Sequence, residues 1–168
     1  MNERDIAVMF SRKSDHWMTP PDFFDKINDV FKFTLDPCAN KNNTLGLPKF
    51  FTDEHDGLSQ NWSGETVFIN PPFSNIKEWM EKAVEEHVNH GTAIACLVPS
   101  RTDTRWFQNS VVYAKYILLI RGRLKFENPL IDDDKITSAP FPSCLIIFSE
   151  LDEKSKFGLK SLGLLLAI

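Results

Sequence analysis

The sequence predicts a doubly wound, mostly parallel α/β sheet in a single domain. Strand-length apolar runs alternate nearly throughout with stretches whose apolar residues recur at helical spacing, as in strands joined by crossover helices. Ala93-Ile94-Ala95-Cys96-Leu97-Val98 and Cys144-Leu145-Ile146-Ile147-Phe148 are apolar at every position, the mark of strands covered on both faces. At 168 residues, with no internal repeat or low-complexity linker, the chain has the size of one domain with a core of its own.

Residues 1–15 carry little pattern and read as a loosely held leader, and the domain proper runs over 16–168. A helix is expected from Pro21, where Phe23, Phe24, Ile27, Val30 and Phe31 fall on one side, Thr19 is placed to cap and Pro21 suits a first turn. Phe33-Thr34-Leu35-Asp36 reads as a buried strand ending in an acid, with Pro37 enforcing the exit. Lys49-Phe50-Phe51-Thr52 reads as a further strand, and Thr66-Val67-Phe68-Ile69 as the central one. Ser74 or Asn75 can cap a helix with Ile76, Trp79, Met80, Ala83, Val84 and Val88 on one face, which Gly91 stops. The strand Ala93–Pro99, a helix capped by Asp103 through Trp106, Phe107 and Val111, the strand Tyr116–Ile120 and the strand Ser143–Phe148 complete the alternation. The apolar end Leu162–Ile168 covers a core or an interface.

Composition narrows the function. The N-terminus is polar with no apolar signal region, and no apolar run approaches membrane-spanning length. Three widely separated cysteines, Cys38, Cys96 and Cys144, argue against a disulfide framework and for a reducing cytoplasm. No metal is expected, because His87 and His90 lack a partnering Cys pair or a Glu at zincin spacing. The formal charge of −4 does not favour a phosphate-binding protein, yet the acids concentrate at Asp132-Asp133-Asp134 and around Glu81, Glu85 and Glu86. Arg101, Arg105, Lys115, Arg121, Arg123 and Lys125 cluster in the later third and leave room for a local basic face.

The chemistry centres on Asn70-Pro71-Pro72-Phe73, directly after the central strand. Neither proline has an N–H for a sheet, and each keeps the preceding residue out of the helical region, so the strand must end in a stiff, extended loop. At the carboxyl edge of an open α/β sheet such a loop lies where ligands bind. The exocyclic amine of a nucleobase is a poor nucleophile while its lone pair is delocalised into the ring. The amide oxygen of Asn70 and the carbonyl of Pro71 are two acceptors that can hold both amine hydrogens and favour a tetrahedral nitrogen. Phe73 offers a flat face for the base, a contact worth roughly 1–3 kcal/mol.

The ordered motifs Trp17-Met18-Thr19-Pro20-Pro21, Asp36-Pro37-Cys38-Ala39, Asp56-Gly57-Leu58 with Trp62, and Asn70-Pro71-Pro72-Phe73 resemble those of the phage-encoded DNA adenine methyltransferases of the small Dam type, over roughly residues 16 to 150. The resemblance implies a Rossmann-like class I methyltransferase fold, S-adenosylmethionine as cofactor and double-stranded DNA as partner. It places Trp17, Thr19 and Pro20 over the methionine end of the cofactor, and Asp36, with Pro37, Cys38 and Ala39, against its ammonium or ribose. It places Asp56, with Gly57 and Leu58, at the cofactor adenine, and Asn70, Pro71, Pro72 and Phe73 at the target base. Arg121–Phe126 resembles the family's Gly-Arg-x-x-Phe element, and Arg101, Arg105, Arg123 and Lys125 are the expected DNA contacts. The chain departs from the wider methyltransferase pattern after Asp36, where Ala39-Asn40-Lys41-Asn42 replaces a Gly-x-Gly turn. Pro37-Cys38 is also a nucleophile motif of cytosine carbon-5 methyltransferases, but it stands at the cofactor strand and the Glu-Asn-Val partner is missing. Two alternatives stay open: the same fold acting on a cytosine, RNA or protein amine, and a degenerate methyltransferase fold kept as a DNA-binding module. Sequence specificity, if any, falls to loops such as Ser100–Arg105 and Gly122–Ile136.

Overall fold

The computed structural model describes residues 17–126 and 138–168; the expected leader, the acidic triplet Asp132-Asp133-Asp134 and part of the Gly122–Ile136 loop lie outside the described residues. Seven strands, β1 (Leu35–Asp36), β2 (Lys49–Phe50), β3 (Thr66–Ile69), β4 (Ala93–Pro99), β5 (Tyr116–Ile120), β6 (Ser143–Phe148) and β7 (Gly163–Ala167), form one sheet in the order β2-β1-β3-β4-β6-β5-β7. The helices among the described residues are α1 (Pro21–Phe31), α2 (Ile76–His90), α3 (Arg105–Val111) and α4 (Glu153–Lys160).

The sheet is mixed rather than mostly parallel. β2, β1, β3 and β4 pair in parallel, whereas β6 runs antiparallel between β4 and β5, and β7 runs antiparallel beside β5. An all-apolar run shows that a strand is buried but carries no sign of its direction, which is why the sequence pattern missed the reversal. Because β5 opposes β6, and β6 opposes β4, the carboxyl ends of β1 to β5 share one edge.

Helices cover both faces. Trp79, Met80 and Ala83 of α2 and Phe107 of α3 pack with Val67, Ile69, Ile94, Cys96, Ile146 and Phe148 on one side. Phe23, Phe24 and Ile27 of α1 and Leu159 of α4 pack with Phe68, Leu97, Leu118, Leu145 and Ile147 on the other. The period-two alternation along β3, β4 and β6 thus divides one set of apolar strands between two cores. Phe24 meets Phe68 edge to face at 5.2 Å, a contact that anchors α1 over β3.

Local differences have physical causes. Pro20, not Thr19, stands at the N-cap of α1, where its carbonyl accepts from the N–H groups of Phe23 and Phe24; the Thr19 hydroxyl is engaged elsewhere. In α2 the buried stripe runs through Trp79, Met80, Ala83 and Glu86, so Val88 faces solvent. α3 is capped by Thr104 instead of Asp103. Leu162–Ile168 is chiefly an edge strand, β7, beyond α4.

Candidate active site at the carboxyl edge of the sheet

β1 and β3 are neighbours, but their onward connections part, β1 leading to β2 on one side and β3 to β4 on the other. Loops leaving such a reversal diverge and open a crevice outside the strand ends. A cleft of about 650 Å³ lies there, within the span of about 300–1,000 Å³ usual for small-molecule sites. One wall is Trp17, Met18 and Thr19; others come from the ends of β1 and β2 and from the loop after β3.

Asp36, at the end of β1, is buried and lines the cleft, and its carboxylate accepts from the Cys38 N–H at 3.1 Å. Burial pushes its carboxyl up to about 7, against the lowering effect of its bonds with Cys38. Cys38 donates its thiol to the Asn70 carbonyl at 3.4 Å; burial chiefly, with the neighbouring Asp36 charge, pushes that thiol well above its ordinary value, so it is a neutral donor and not a nucleophile. The turn that replaces Gly-x-Gly is closed by a side chain. The Asn40 side-chain oxygen accepts from the N–H groups of Asn42 and Thr44 at 3.0 and 3.3 Å, and its amide nitrogen donates to the Thr44 hydroxyl. Ala39 is buried and donates its N–H to the Phe51 carbonyl, tying this turn to the end of β2.

The acid that lines the cleft from the β2 side is Asp53, not Asp56. Thr52 and His55 form a capping box around the short helical turn Asp53–His55, which leaves Asp56 at its end in a left-handed conformation (φ 48°) and exposed. Gly57 is buried against the chain: a side chain there would meet the Pro37 carbonyl at 1.9 Å, and its own carbonyl accepts from the Trp62 indole at 3.0 Å. Leu58 packs against the core, so Asp56, Gly57 and Leu58 are not brought into the cleft. Asp53 was within reach of sequence reasoning, since it stands just beyond the carboxyl end of a strand.

Asn70 and Pro72 line the opposite side, followed by Ser74 and Asn75. The Asn70 amide nitrogen donates to the Trp17 carbonyl at 2.8 Å and to the Thr19 hydroxyl at 3.1 Å. Pro71 is buried beneath the loop. Phe73 is half-buried and turns away from the cleft to meet Phe141 edge to face at 5.3 Å; Phe141 in turn touches Phe126. The loop therefore has two sides, a polar one on the cleft and an aromatic one shared with the segments after β5 and before β6. Arg101 follows β4 and Arg105 opens α3, Arg123 and Lys125 follow β5, and all four are exposed at this same edge. Among the described residues no group of three or more His, Cys, Asp or Glu could hold a metal ion, and no helix is long and apolar enough to cross a membrane.

The fold and site define an α/β protein with a cleft of small-molecule size at the switch point of its sheet, walled on one side by the loop that begins at Asn70. The family model described as DNA N-6-adenine-methyltransferase (Dam) matches residues 8–163, and the chain belongs to that family, as the order of its motifs predicted. It is 34% identical over 123 residues to the DNA N-6-adenine-methyltransferase of Haemophilus phage HP1 (strain HP1c1), covering 70% of each chain. It is 30% identical over 112 residues to the DNA N-6-adenine-methyltransferase of Escherichia phage T1, covering 66% of this chain but 46% of that one. Family membership makes the chain a methyltransferase whose partner is DNA and whose target is adenine.

Proposed function

We propose that the chain transfers a methyl group from S-adenosylmethionine to the exocyclic N6 amine of adenine in double-stranded DNA, on a Rossmann-like class I methyltransferase fold spanning residues 16–168. The observation that carries this reading is the juxtaposition of Asp36 and Asn70. Adjacent parallel strands deliver a buried acid and an amide to facing walls of one cleft.

The cleft fits the cofactor in volume and in its polar groups. Trp17, Thr19 and Pro20 hold its methionine end, and Asp36, Pro37, Cys38 and Ala39 form the floor where an ammonium or ribose hydroxyl meets a buried carboxylate. Such a carboxylate, poorly solvated and short of donors, binds a cation or hydroxyl more strongly than an exposed one. For the adenosine end the lining favours Asp53 over the expected Asp56, with Gly57 and Leu58 supporting that loop from behind. The bound cofactor supplies a methyl group already activated on a sulfonium.

The protein's part is positioning and electrostatics. The Asn70 side-chain oxygen and the Pro71 carbonyl accept the two hydrogens of the adenine amine, and Pro71 and Pro72 keep those acceptors from rotating away. As positive charge develops on the nitrogen both bonds strengthen, which lowers the barrier more than it stabilises the ground state. The adenine leaves the duplex at a cost of a few kcal/mol, and stacking on Phe73, which Phe141 braces edge to face, offsets it. Arg101, Arg105, Arg123 and Lys125 face the phosphates from the same edge.

Incubation with labelled S-adenosylmethionine and unmethylated duplex DNA, followed by digestion and mass spectrometry of nucleosides, tests the reading. N6-methyladenine is the expected product. N4-methylcytosine, or label on RNA or protein alone, would reassign the substrate, and calorimetry without cofactor binding would remove the enzyme reading.

A further inference from the structure

We propose that Thr19 is a positioning residue: together with the Trp17 carbonyl, its hydroxyl locks the Asn70 amide in the orientation that turns the amide oxygen, not the nitrogen, toward the target amine. The inference rests on the functional reading above and gives Thr19, already a wall of the cofactor's methionine end there, a second role that acts through Asn70 and touches neither the base nor the reacting atoms.

An asparagine side chain is nearly symmetric in shape and opposite in function at its two ends. A target amine donates, so only the oxygen end is productive, and the nitrogen end would set N–H against N–H. Nothing in an isolated Asn-Pro-Pro loop distinguishes the two orientations. Here the Trp17 carbonyl does, because it can only accept, and the Asn70 nitrogen stands 2.8 Å from it. The Thr19 hydroxyl, on a residue that is 4% exposed, takes the second amide hydrogen at 3.1 Å. Both donors of the amide are thereby used, and its oxygen is left for the cleft that Asn70 lines. The backbone is held as well, since the Asn70 carbonyl accepts from the Cys38 thiol at 3.4 Å. Residue 70 is thus fixed from two segments, one of them 51 to 53 positions away in the chain.

The clamp also explains why an amide, not a carboxylate, suits this chain. An aspartate at position 70 would be a stronger acceptor toward the amine but would press an anionic oxygen against the Trp17 carbonyl. Only its protonated form could donate to that carbonyl and still present the second oxygen to the base.

Three variants test this. The Asn70 side-chain amide signal, assigned in a nitrogen-proton spectrum by its loss in Asn70→Asp, should exchange slowly with solvent in the wild type and in Thr19→Ser, and faster in Thr19→Val. Single-turnover methyl transfer at saturating S-adenosylmethionine should fall about three- to tenfold in Thr19→Val, the worth of one neutral hydrogen bond, and recover in Thr19→Ser. In Asn70→Asp the rate relative to wild type should rise as pH falls, because the protonated side chain is the competent one; making the comparison in an Asp36→Asn background at saturating cofactor removes the other buried acid of the cleft, while the Cys38 thiol stays protonated. An equally protected amide with undiminished transfer in Thr19→Val, or a flat pH ratio for Asn70→Asp, overturns the clamp while leaving the functional reading in place. If the wild type methylates no DNA, the functional reading fails and the role of the clamp fails with it. Should Thr19→Val not fold, the Asn70→Asp pH ratio decides alone.

Discussion

At Asp36 two demands conflict. On the proposed function the residue meets a ligand away from water, yet burial disfavours its charged form and holds its carboxyl near 7 instead of the ordinary 3.8. The sign of the consequence is fixed. Between pH 4 and 7 the folded chain binds a proton that the unfolded chain has released, so the free protein loses stability as pH rises through that window. A bound ammonium favours the ionised carboxylate, so cofactor affinity should climb from pH 6 and level off above about pH 7. Calorimetry across that range in buffers of differing ionisation enthalpy should show proton release on binding at pH 6 that vanishes by pH 8. Asp36→Asn should weaken binding roughly 10- to 100-fold and flatten the pH dependence, as expected for a hydrogen bond to a charged group. Asn70, the two prolines and Asp36 were legible in the sequence because proline acts on its immediate neighbours and an acid ending an apolar run has few other uses. Trp17 and Thr19 as partners of Asn70 were not, since that contact is made by tertiary packing alone. Asp56 was expected at the cofactor adenine from the family resemblance of Asp56-Gly57-Leu58, whereas Asp53, at the start of the short helical turn that ends at Asp56, is the acid that lines the cleft.

The loop between β2 and β3 is set by close packing. Gly57 lies against the Pro37 carbonyl where no Cβ fits, Trp62 is fully buried and donates to the Gly57 carbonyl, and Trp62 stacks on Trp79 of α2 at 6.1 Å. Gly57→Ala should therefore destabilise the fold by about 1–3 kcal/mol, since the obstacle is backbone and cannot swing aside; denaturant titration measures it, and an unchanged midpoint would show that the loop is not pinned there. Glu86 of α2 is buried with its carboxylate 2.7 Å from Lys82 and 3.3 Å from the Trp62 N–H. Glu86→Ala strands a nearly buried lysine and should cost about 3–5 kcal/mol. Helical periodicity identified α1, α2 and α3, but the burial of Glu86 and the exposure of Val88 depend on the pair with Lys82 and on the tilt of α2, which spacing does not encode. α4 carried a local signal in Asp152, whose carboxylate caps the Ser155 N–H at 2.7 Å, although no strong apolar stripe accompanied it.

For the whole molecule, a net charge of −4 must be reconciled with a polyanionic partner. The topology brings the segments after β4 and β5 to the edge that holds the cleft, so on the proposed function Arg101, Arg105, Arg123 and Lys125 would meet the phosphates there. Each phosphate contact removed should lower the slope of log affinity against log salt by about 0.9. Arg123→Ala and Lys125→Ala should each do so without changing cofactor binding; an unaltered slope would place the DNA elsewhere. The alternation of strands and helices revealed an α/β sheet covered on both faces, while the antiparallel insertion of β6 stayed hidden because strand direction is a property of the connections.

If the Asn70 loop activates an adenine amine beside a bound methyl donor, removal of the Asn70 side chain must all but abolish transfer without releasing the donor. The most direct measurement is single-turnover transfer of labelled methyl from S-adenosylmethionine to unmethylated duplex DNA by the wild type and by Asn70→Ala, with cofactor affinity measured in parallel. The expected result is label in N6-methyladenine, a loss of about 100- to 1,000-fold in the variant as for removal of a transition-state hydrogen-bond partner, and cofactor affinity within a few-fold of wild type. Transfer to adenine that survives intact in Asn70→Ala would contradict that role of the loop.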